Sequence, residues 1–433
     1  MTTTSTTTTP KPGIVPGHPL ECTALHRAGT RLQRLGRKLF LSRLKHLQHG
    51  ELTVIEGGNR LVFGRRTAEC DLHPTLEVLH PQTFADAAFG GTVGGGESFV
   101  RGHWRTDDLT ALVQLFVANR EVMESLEGGA AILAAPVRRA LHWANRNSRD
   151  GSRRNIAAHY DLGNELFALM LDETMAYSCG IFTREEATLH EAQLAKFDRI
   201  CRKLQLSPAD HLVEIGTGWG GLAIHAARNY GCRVTTTTIS KEQHDWAKAK
   251  IAAAGLADRI TLLLEDYRDL KGTYDRLVSV EMIEAVGHQY LDTYTAKCSQ
   301  LLSANGAMLL QAITIQDQIY EQALKSVDFI QQFVFPGSFI PSVTAITDSV
   351  RRSTDMKVFH LEDIGPHYAT TIRKWRENFF ARLPAVKELG YPDVFVRMWE
   401  FYLCYCEGGF LERQIGDVQM LLTKPRCRLP SVT

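Results

Sequence analysis

Two hydrophobic patterns alternate along the second half of the chain. Short runs of consecutive apolar residues, typical of strands buried on both faces of a parallel sheet, are followed by longer segments with helical periodicity. The predicted strands are 211–216, 233–239, 259–264, 275–280 and 306–313, and the predicted helices are 219–230, 241–254 and 290–302. This order predicts an α/β fold with a parallel sheet.

The beginning of the chain follows a different pattern. Residues 1–20 are a Thr- and Pro-rich tract with too few apolar residues to bury, so we expect a disordered tail. Between Ala24 and Gly50, basic residues and leucines repeat at helical spacing without any acidic residue, which predicts a basic amphipathic helix. Such a helix either lies on an anionic bilayer or packs on its own domain with a solvated basic face.

A small mixed domain is predicted to follow this helix. Alternating residues flank Glu56-Gly57-Gly58-Asn59, which is the pattern of a β-hairpin. The glycine cluster at residues 90–96 has neither the Lys-Ser/Thr pair nor the spacing of a phosphate-binding loop, so we expect a tight turn there. An arginine-rich connector at 138–154 then separates an N-terminal domain, 21–137, from a larger domain, 155–433.

Composition and charge narrow the classes of function. The 433 residues are 44% hydrophobic and 22% charged, as in a globular protein of two or three domains. With 49 Lys and Arg against 48 Asp and Glu, the net charge of +1 favours no nucleic-acid partner. The chain has no secretory signal pattern and no run of 18 apolar residues, so we expect a cytoplasmic protein. Its nine cysteines form no CxxC pair, and we predict no metal site.

A glycine-rich turn after the first predicted strand indicates a nucleotide site. Gly216, Gly218 and Gly220 let the backbone approach a ligand at the start of a helix. Nicotinamide-dependent dehydrogenases use the same turn, so this signal alone does not identify the ligand. However, Glu214 places an acid in the apolar end of the strand, where methyltransferases orient the cationic part of S-adenosylmethionine.

The next two strands also favour S-adenosylmethionine over a dinucleotide. The second strand ends at Thr238 instead of the acid that binds a ribose in dinucleotide folds, and Gln243 is placed to make those hydrogen bonds. Asp266 and Tyr267 follow the third strand and suit the edge and face of an adenine ring. We therefore predict a methyl-donor site.

Motifs in residues 155–420 resemble those of cyclopropane fatty acid synthases, which use S-adenosylmethionine to add a methylene across lipid double bonds. The matching segments are 159–164 (HYDLGN), 177–180 (YSCG), 213–221 (VEIGTGWGG), 238–243 (TISKEQ), 266–269 (DYRD), 279–287 (SVEMIEAVG), 335–336 (FP), 364–368 (IGPHY) and 406–410 (CEGGF). A looser similarity covers the smaller domain, notably 107–110 (DDLT).

The resemblance implies a class I methyltransferase (Rossmann-like) α/β sheet with helical lid insertions, preceded by a small N-terminal α+β domain. It makes 155–433 the methyltransferase domain and 21–137 a lipid- or membrane-associated domain. Unsaturated phospholipid acyl chains are then the substrates, and the enzyme lies on the anionic inner face of the membrane. A homodimer is compatible with the family, although no interface is evident in the sequence.

The chemistry of such an enzyme accounts for the residues that the motifs select. Attack of an alkene on the sulfonium methyl gives a carbocation, which needs apolar walls, aromatic faces and one base that removes a proton. In the family a bound bicarbonate is this base. The resemblance places Cys179, Glu284 and Tyr368 around it and Cys406 at another active-site position, and it places Tyr177 and Ser178 near the cofactor.

Two positions in these motifs leave alternatives open. Gln311 stands where the bacterial synthases commonly have His, and an amide donates a hydrogen bond to an anion but carries no charge. The same carbocation can therefore also lead to a methylene- or methyl-branched chain, and a non-catalytic lipid-binding protein is a more distant alternative. Of the acids Glu281 and Glu284, the motif selects Glu284, which leaves Glu281 as an exposed acid at a helix start.

Overall fold

The computed structural model describes residues 29–120, 122 and 162–431. Within these ranges the chain forms two sheets, each covered by helices. The predicted tail, the predicted linker and half of the 159–164 motif lie outside the described residues. The predicted domain limits therefore stay predictions.

The described N-terminal residues form a small α+β unit. Its elements are α1 (Arg31–Leu44), β1 (Gly50–Glu56), β2 (Asn59–Arg65), β3 (Thr75–Val78), α2 (Gln82–Val100), β4 (Trp104–Thr106) and α3 (Leu109–Ala118). The sheet order is β2-β1-β3-β4. The predicted hairpin is confirmed: Gly57 and Gly58 connect β1 to β2 with φ of 55° and 84°, a pair of left-handed residues that suits a two-residue hairpin turn.

The turn predicted at residues 90–96 is present only at Gly91, and the other glycines of the cluster lie in the helical parts of α2 on the C-terminal side of it or directly before it. Gly91 has non-helical angles (φ 58°, ψ −144°) and kinks the helix. At Gly96 an added Cβ would lie 2.6 Å from a ring carbon of Phe329 and 2.9 Å from one of Phe401. The absence of a side chain at Gly96 therefore lets aromatic rings of the larger unit pack directly on α2.

Helix α1 has two apolar faces with different surroundings. It starts with a capping box formed by Thr30 and Gln33. The buried face packs on α2 and contains Gly36, Phe40 and Leu44. The other face carries three exposed leucines, namely Leu32 (55% exposed), Leu35 (49%) and Leu39 (36%). Packing on its own domain thus accounts for only half of the apolar residues in this helix.

The larger sheet has the order β10-β11-β9-β8-β5-β6-β7. Its strands are β5 (His211–Ile215), β6 (Arg233–Thr238), β7 (Ile260–Leu264), β8 (Tyr274–Val280), β9 (Leu302–Ile315), β10 (Lys357–Asp363) and β11 (Ile415–Thr423). Strands β5 to β9 run parallel, at positions close to the predicted ones, which confirms the α/β class. The antiparallel edge formed by β10 and β11 was not predicted.

Helices cover both faces of this sheet and join it to the smaller unit. They are α4 (Asn164–Met170), α5 (Leu189–Lys203), α6 (Gly221–Tyr230), α7 (Lys241–Ala253), α8 (Leu291–Leu301), α9 (Asp317–Ala323), α10 (Phe329–Phe333), α11 (Val343–Ser353), α12 (Gly365–Ala381), α13 (Leu383–Glu388) and α14 (Asp393–Leu411). Helix α14 packs on α2 and α3, where the Thr110 hydroxyl donates to Glu407 Oε2 at 3.2 Å. Among the described residues, no helix has the length and apolar character needed to cross a bilayer.

Candidate active site

A cavity of about 610 Å³ opens at the carboxyl ends of β5, β6, β7 and β8. This edge is where open parallel sheets bind their ligands, because the loops that follow the strands converge there. The glycine turn lines one part of the cavity, and aromatic side chains of α12 and α14 line another. Val113, Phe116 and Val117 of α3 also contribute to the wall, so the smaller unit helps to enclose the cavity.

The glycine turn presents bare backbone to the cavity. Gly216 and Gly218 have φ of 101° and 52°, and a Cβ at Gly218 would meet no atom within 4 Å. Gly220 instead lies against α7, with its Cβ position 3.3 Å from that of Ala247. Gly221, which completes the GxGxxG spacing and was not selected from the sequence, lines the cavity. Its Cβ would lie 2.8 Å from the carbonyl oxygen of Thr174, so a larger residue does not fit there.

Glu214 is a buried acid at the floor of this turn. The Thr236 hydroxyl donates to its Oε2 at 2.5 Å, and burial raises the pKa of Glu214 to about 8. A nearby cation would therefore stabilise its charged form. In the adjacent loop the Thr238 hydroxyl donates to Gln243 Oε1 at 2.8 Å, which fixes the orientation of the Gln243 amide.

Asp266 and Tyr267 line the far side of the same region. Asp266 accepts hydrogen bonds from Arg268 Nε at 2.8 Å and Nη2 at 2.6 Å, and the guanidinium lies 5.5 Å from the centre of the Tyr267 ring. This ion pair shapes a polar-aromatic wall that suits an adenine ring.

Nine of the ten predicted cofactor residues line this one cavity, namely Tyr177, Ser178, Glu214, Gly216, Gly218, Thr238, Gln243, Asp266 and Tyr267. The set fits S-adenosylmethionine. Its open glycine backbone admits a nucleoside closely. Its buried acid, Glu214, feels the charge of Lys196 but forms no ion pair within the described ranges, so the cationic amino acid part would supply one. Gly220 is the one predicted cofactor residue that packs elsewhere.

Sequence reasoning missed Glu281, the centre of the polar cluster deeper in the cavity. Its Oε1 accepts hydrogen bonds from the backbone N–H of Cys179 and from Gln311 Nε2, both at 2.8 Å. The Tyr368 hydroxyl donates to its Oε2. The expectation that Glu281 is an exposed acid at a helix start is therefore wrong. The sequence did contain one signal for Glu281, because this residue follows β8 directly in the run Glu281-Met-Ile-Glu284.

Glu284 also lines the cavity but makes different contacts. Its Oε1 accepts a hydrogen bond from the backbone N–H of Ile313 at 2.6 Å, and its Oε2 is buried and bonds to no residue that the structure describes. Burial, together with the charge of Glu281, raises the pKa of Glu284 to about 8. Glu284 is therefore mostly protonated at neutral pH, which lowers the cost of the unpaired oxygen.

The two predicted cysteines are neutral thiols in different places. Cys179 lies behind Glu281, with its Sγ 3.2 Å from the carbonyl oxygen of Gly180, and burial raises its pKa well above the ordinary value. Its backbone N–H, and not its thiol, faces the carboxylate. Cys406 lies on the cavity wall in α14, and burial raises its pKa as well.

Aromatic rings form the wall of the cavity that adjoins the carboxylates. The ring of Tyr177 lies 5.0 Å from that of Trp375, and the ring of Tyr368 lies 4.4 Å from that of Phe410. Phe335 lines the same wall. The faces of such rings carry negative potential, so the wall can stabilise a cation while it excludes water.

Bicarbonate does not fit the polar cluster as the resemblance implies. Three groups near the expected anion position, the Cys179 N–H, the Gln311 amide and the Tyr368 hydroxyl, already donate to the Glu281 carboxylate. These three donors form a cradle, and the group that they bind is the Glu281 carboxylate, a side chain of the protein itself. Among the described residues, no group of three or more His, Cys, Asp or Glu side chains is arranged to hold a metal ion.

Comparison with known proteins agrees with this site. Residues 147–420 match the family model described as mycolic acid cyclopropane synthetase. The chain is 38% identical over 387 residues to tuberculostearic acid methyltransferase UfaA1 of Mycobacterium tuberculosis, covering 84% of this chain and 87% of the relative. It is 35% identical over 351 residues to the cyclopropane-fatty-acyl-phospholipid synthase of Escherichia coli K12, covering 81% and 87%.

Solved structures show the same fold. The mycolic acid cyclopropane synthase CmaA1, in a complex with SAH and CTAB, superposes with a TM-score of 0.59 at 31% identity, over 63% of this chain and 98% of that one. Both the predicted family resemblance and the predicted class I methyltransferase fold are confirmed. The chain belongs to the mycolic acid cyclopropane synthetase family and is an S-adenosylmethionine-dependent methyltransferase of the cyclopropane synthase type.

Proposed function

We propose that this enzyme transfers the methyl carbon of S-adenosylmethionine to the double bond of an unsaturated phospholipid acyl chain and closes a cyclopropane ring. The observation that carries the proposal is one continuous cavity. It joins a cofactor wall at Glu214 and Gly218 to an aromatic wall at Tyr177 and Trp375. Buried carboxylates lie between the two walls.

Each wall has a task in this reaction. When bound, S-adenosylmethionine supplies an electrophilic methyl group. Glu214 holds its cationic part, and Tyr177 lines the cavity beside the cofactor residues, next to Trp375. The rings stabilise the carbocation on the acyl chain and keep water away from it, so that proton loss competes successfully with hydration.

The lipid substrate is supported by the apolar lining and by relatives. Phe335, Phe339 and Ile340 lie along the cavity together with residues of α3, which suits an extended hydrocarbon. Phe329, in contrast, packs 4.5 Å from Phe401 in the core. The E. coli relative is named a cyclopropane-fatty-acyl-phospholipid synthase, which favours a phospholipid.

A second product is favoured by a separate observation. Gln311 replaces the commonly found His, and the M. tuberculosis relative at 38% identity is named for tuberculostearic acid. If the carbocation undergoes a hydride shift before it loses a proton, the same transfer gives a methylene-branched chain, which a later reduction converts to a methyl branch. We keep this product as the alternative.

Seating on the inner face of an anionic membrane is part of the proposal. The exposed leucines of α1, of which Leu35 is 49% exposed, lie among Arg31, Arg34 and Lys38. This combination suits the headgroup boundary of an anionic bilayer. We expect sedimentation with phosphatidylglycerol vesicles at low salt, and at least a threefold loss of binding in Leu35→Glu. Leu389→Glu, at a leucine 39% exposed elsewhere, is the control, and equal binding by both variants would argue against α1.

The reaction itself is tested with methyl-labelled S-adenosylmethionine and vesicles of monounsaturated phospholipid. Mass spectrometry should find a labelled lipid that is heavier by one CH2, and proton NMR of that lipid should show upfield cyclopropane signals. Exomethylene signals would assign the alternative product. Absence of label from lipid, with S-adenosylmethionine bound, would rule out both products. Homodimer formation stays a prediction, which sedimentation velocity decides.

A further inference from the structure

We propose that Glu281 is the built-in base of this enzyme: its carboxylate occupies the cradle that the resemblance assigns to bicarbonate and takes the proton from the carbocation. The inference rests on the proposed function, since it concerns the last step of that reaction. It assigns a catalytic residue to the only carboxylate in the described cluster that binds three donors from three different segments.

The hydrogen bonds to Glu281 form a binding site for its carboxylate and are not incidental contacts. Donors reach it from Cys179 before α5, from Gln311 in β9 and from Tyr368 in α12. Without Glu281, these three donors would be available to bind a separate anion. Glu281 also lines the cavity, so the carboxylate lies where a substrate can reach it.

A chain of amides fixes the direction in which Gln311 points. Lys203 Nζ donates to Gln419 Oε1 at 2.9 Å, and a lysine has no acceptor, so the oxygen of Gln419 must face it. The Gln419 amide then donates to Gln311 Oε1 at 3.1 Å. The NH2 group of Gln311 is left to donate to Glu281 Oε1 at 2.8 Å and to Asp417 Oδ2 at 3.0 Å. A glutamine at this position is thus set as a hydrogen-bond donor to a carboxylate of the chain.

Lys203 is in turn held at the other end of the chain. Its Nζ lies 2.5 Å from Glu362 Oε2, and Glu362 also pairs with Arg199. The orientation of Gln311 is therefore determined by an ion pair two strands away on the same face of the sheet, since Gln311, Gln419 and Glu362 are directly opposed across β9, β11 and β10. This arrangement explains why the uncharged Gln311 is suited to the position next to the proposed base, Glu281.

Two further buried acids, Asp417 and Glu284, lie close enough to Glu281 for their charges to interact with it. Burial and the charge of Glu281 raise the pKa of Asp417 well above its ordinary value and that of Glu284 to about 8. Burial raises the pKa of Glu281 too, while the bonds from Tyr368 and Cys179 and the charge of Lys196 oppose this rise. The Glu281 carboxylate is therefore more basic than an exposed one.

The backbone at Glu281 supports a functional position. Its φ is 47°, in the left-handed region that residues other than glycine, asparagine and aspartate seldom adopt. Such a conformation persists only where the surroundings enforce it. Here it turns the side chain directly after β8 toward the three donors.

The proposed step balances without a further reactant. The π electrons of the double bond form the bond to the methyl carbon, while the electrons of the S–C bond stay on sulfur. Glu281 Oε then accepts a proton from the new methyl group. The electrons of that C–H bond become the third bond of the ring, or the C=C bond of the methylene product after a hydride shift. The proton leaves Glu281 for solvent after product release.

The test compares two variants with and without bicarbonate. The wild-type rate should be the same in CO2-free buffer as in 20 mM bicarbonate. Glu281→Ala should lose at least 100-fold in kcat without bicarbonate and recover at least tenfold, saturably, when bicarbonate or formate is added. Glu281→Gln should be as slow but should not recover, because its amide fills the cradle. In ¹³C NMR, labelled bicarbonate should bind Glu281→Ala and not the wild type.

Two results would overturn the inference. One is a wild-type enzyme that needs bicarbonate, and the other is a Glu281→Ala variant with a full rate in CO2-free buffer. The wild-type comparison decides the matter even if the alanine variant fails to fold. A wild type that places no label in lipid would instead refute the proposed function, so the two failures are distinguishable.

Discussion

The Tyr368 hydroxyl donates a hydrogen bond to Oε2 of Glu281, while the ring of Tyr368 packs 4.4 Å from the ring of Phe410. One side chain thus contributes a donor to the carboxylate and an aromatic face to the cavity wall. The two contributions can be separated, because phenylalanine keeps the ring and removes the hydroxyl.

We predict that Tyr368→Phe moves the pH dependence of the reaction. The hydrogen bond stabilises the charged form of Glu281, so its loss raises the pKa of Glu281. A base works only when it is ionised, so the acidic limb of the kcat profile should move to higher pH. At pH 7 we expect kcat to fall by about 10- to 100-fold, which is less than the roughly 10²- to 10⁴-fold that a general base contributes in full.

The measurement is kcat between about pH 5.5 and 9. Tyr402→Phe is the matched control, since the Tyr402 hydroxyl bonds that of Tyr177 at 2.7 Å and not Glu281. Its acidic limb should stay where it is in the wild type. An unmoved limb in Tyr368→Phe would remove Glu281 as the titrating base.

Cys179→Ala should change activity little, because the backbone N–H that binds Glu281 remains. We expect kcat within about threefold of the wild type. The lost sulfur leaves a small void in the core, so stability in urea should fall by about 1–2 kcal/mol. Cys70→Ala, at a half-buried position outside the cavity, is the control for stability. A loss of 100-fold in kcat would instead show that the thiol takes part in the reaction.

The parallel half of the larger sheet was predictable because its signals are local. Each of β5, β6 and β7 is a short apolar run that ends in a turn, and the glycines after β5 have a recognisable spacing. Strands β10 and β11 were missed because they pair with each other across the helices from 365 to 411. No turn signal connects two strands that far apart in the sequence.

The polar cluster depended on contacts that are equally remote. Whether Glu281 faces solvent or the cavity is decided by its left-handed backbone, and the residue type gives no indication of that conformation. Likewise the direction of the Gln311 amide depends on Lys203, more than 100 positions earlier in the chain. The family motif located the cluster but selected only one of its two glutamates.

The glycines of α2 show how little a glycine cluster says about its own structure, and two adjacent ones allow a direct test. A Cβ at Gly95 would meet no atom within 4 Å, whereas at Gly96 it would lie 2.6 Å from Phe329. Gly95→Ala should therefore stabilise the protein by up to about 1 kcal/mol through helix propensity. Gly96→Ala should destabilise it by about 1–3 kcal/mol through overpacking. Urea unfolding of both variants measures this, and effects of equal sign would contradict the packing that we describe.

The affinity for S-adenosylmethionine should increase with pH because of Glu214. Burial raises the pKa of Glu214 to about 8 in the free protein, so the acid is mostly protonated at pH 6. The cationic amino acid part of the ligand prefers the ionised form, so binding must release the proton. Kd should then fall by about tenfold per pH unit between pH 6 and 7.5. Calorimetry in two buffers of different ionisation enthalpy measures both Kd and the released proton. Glu214→Gln should bind more weakly and without this dependence, whereas Glu185→Gln, at an exposed position, should behave as the wild type. A wild-type Kd that is constant over this range would show that Glu214 does not hold the cation.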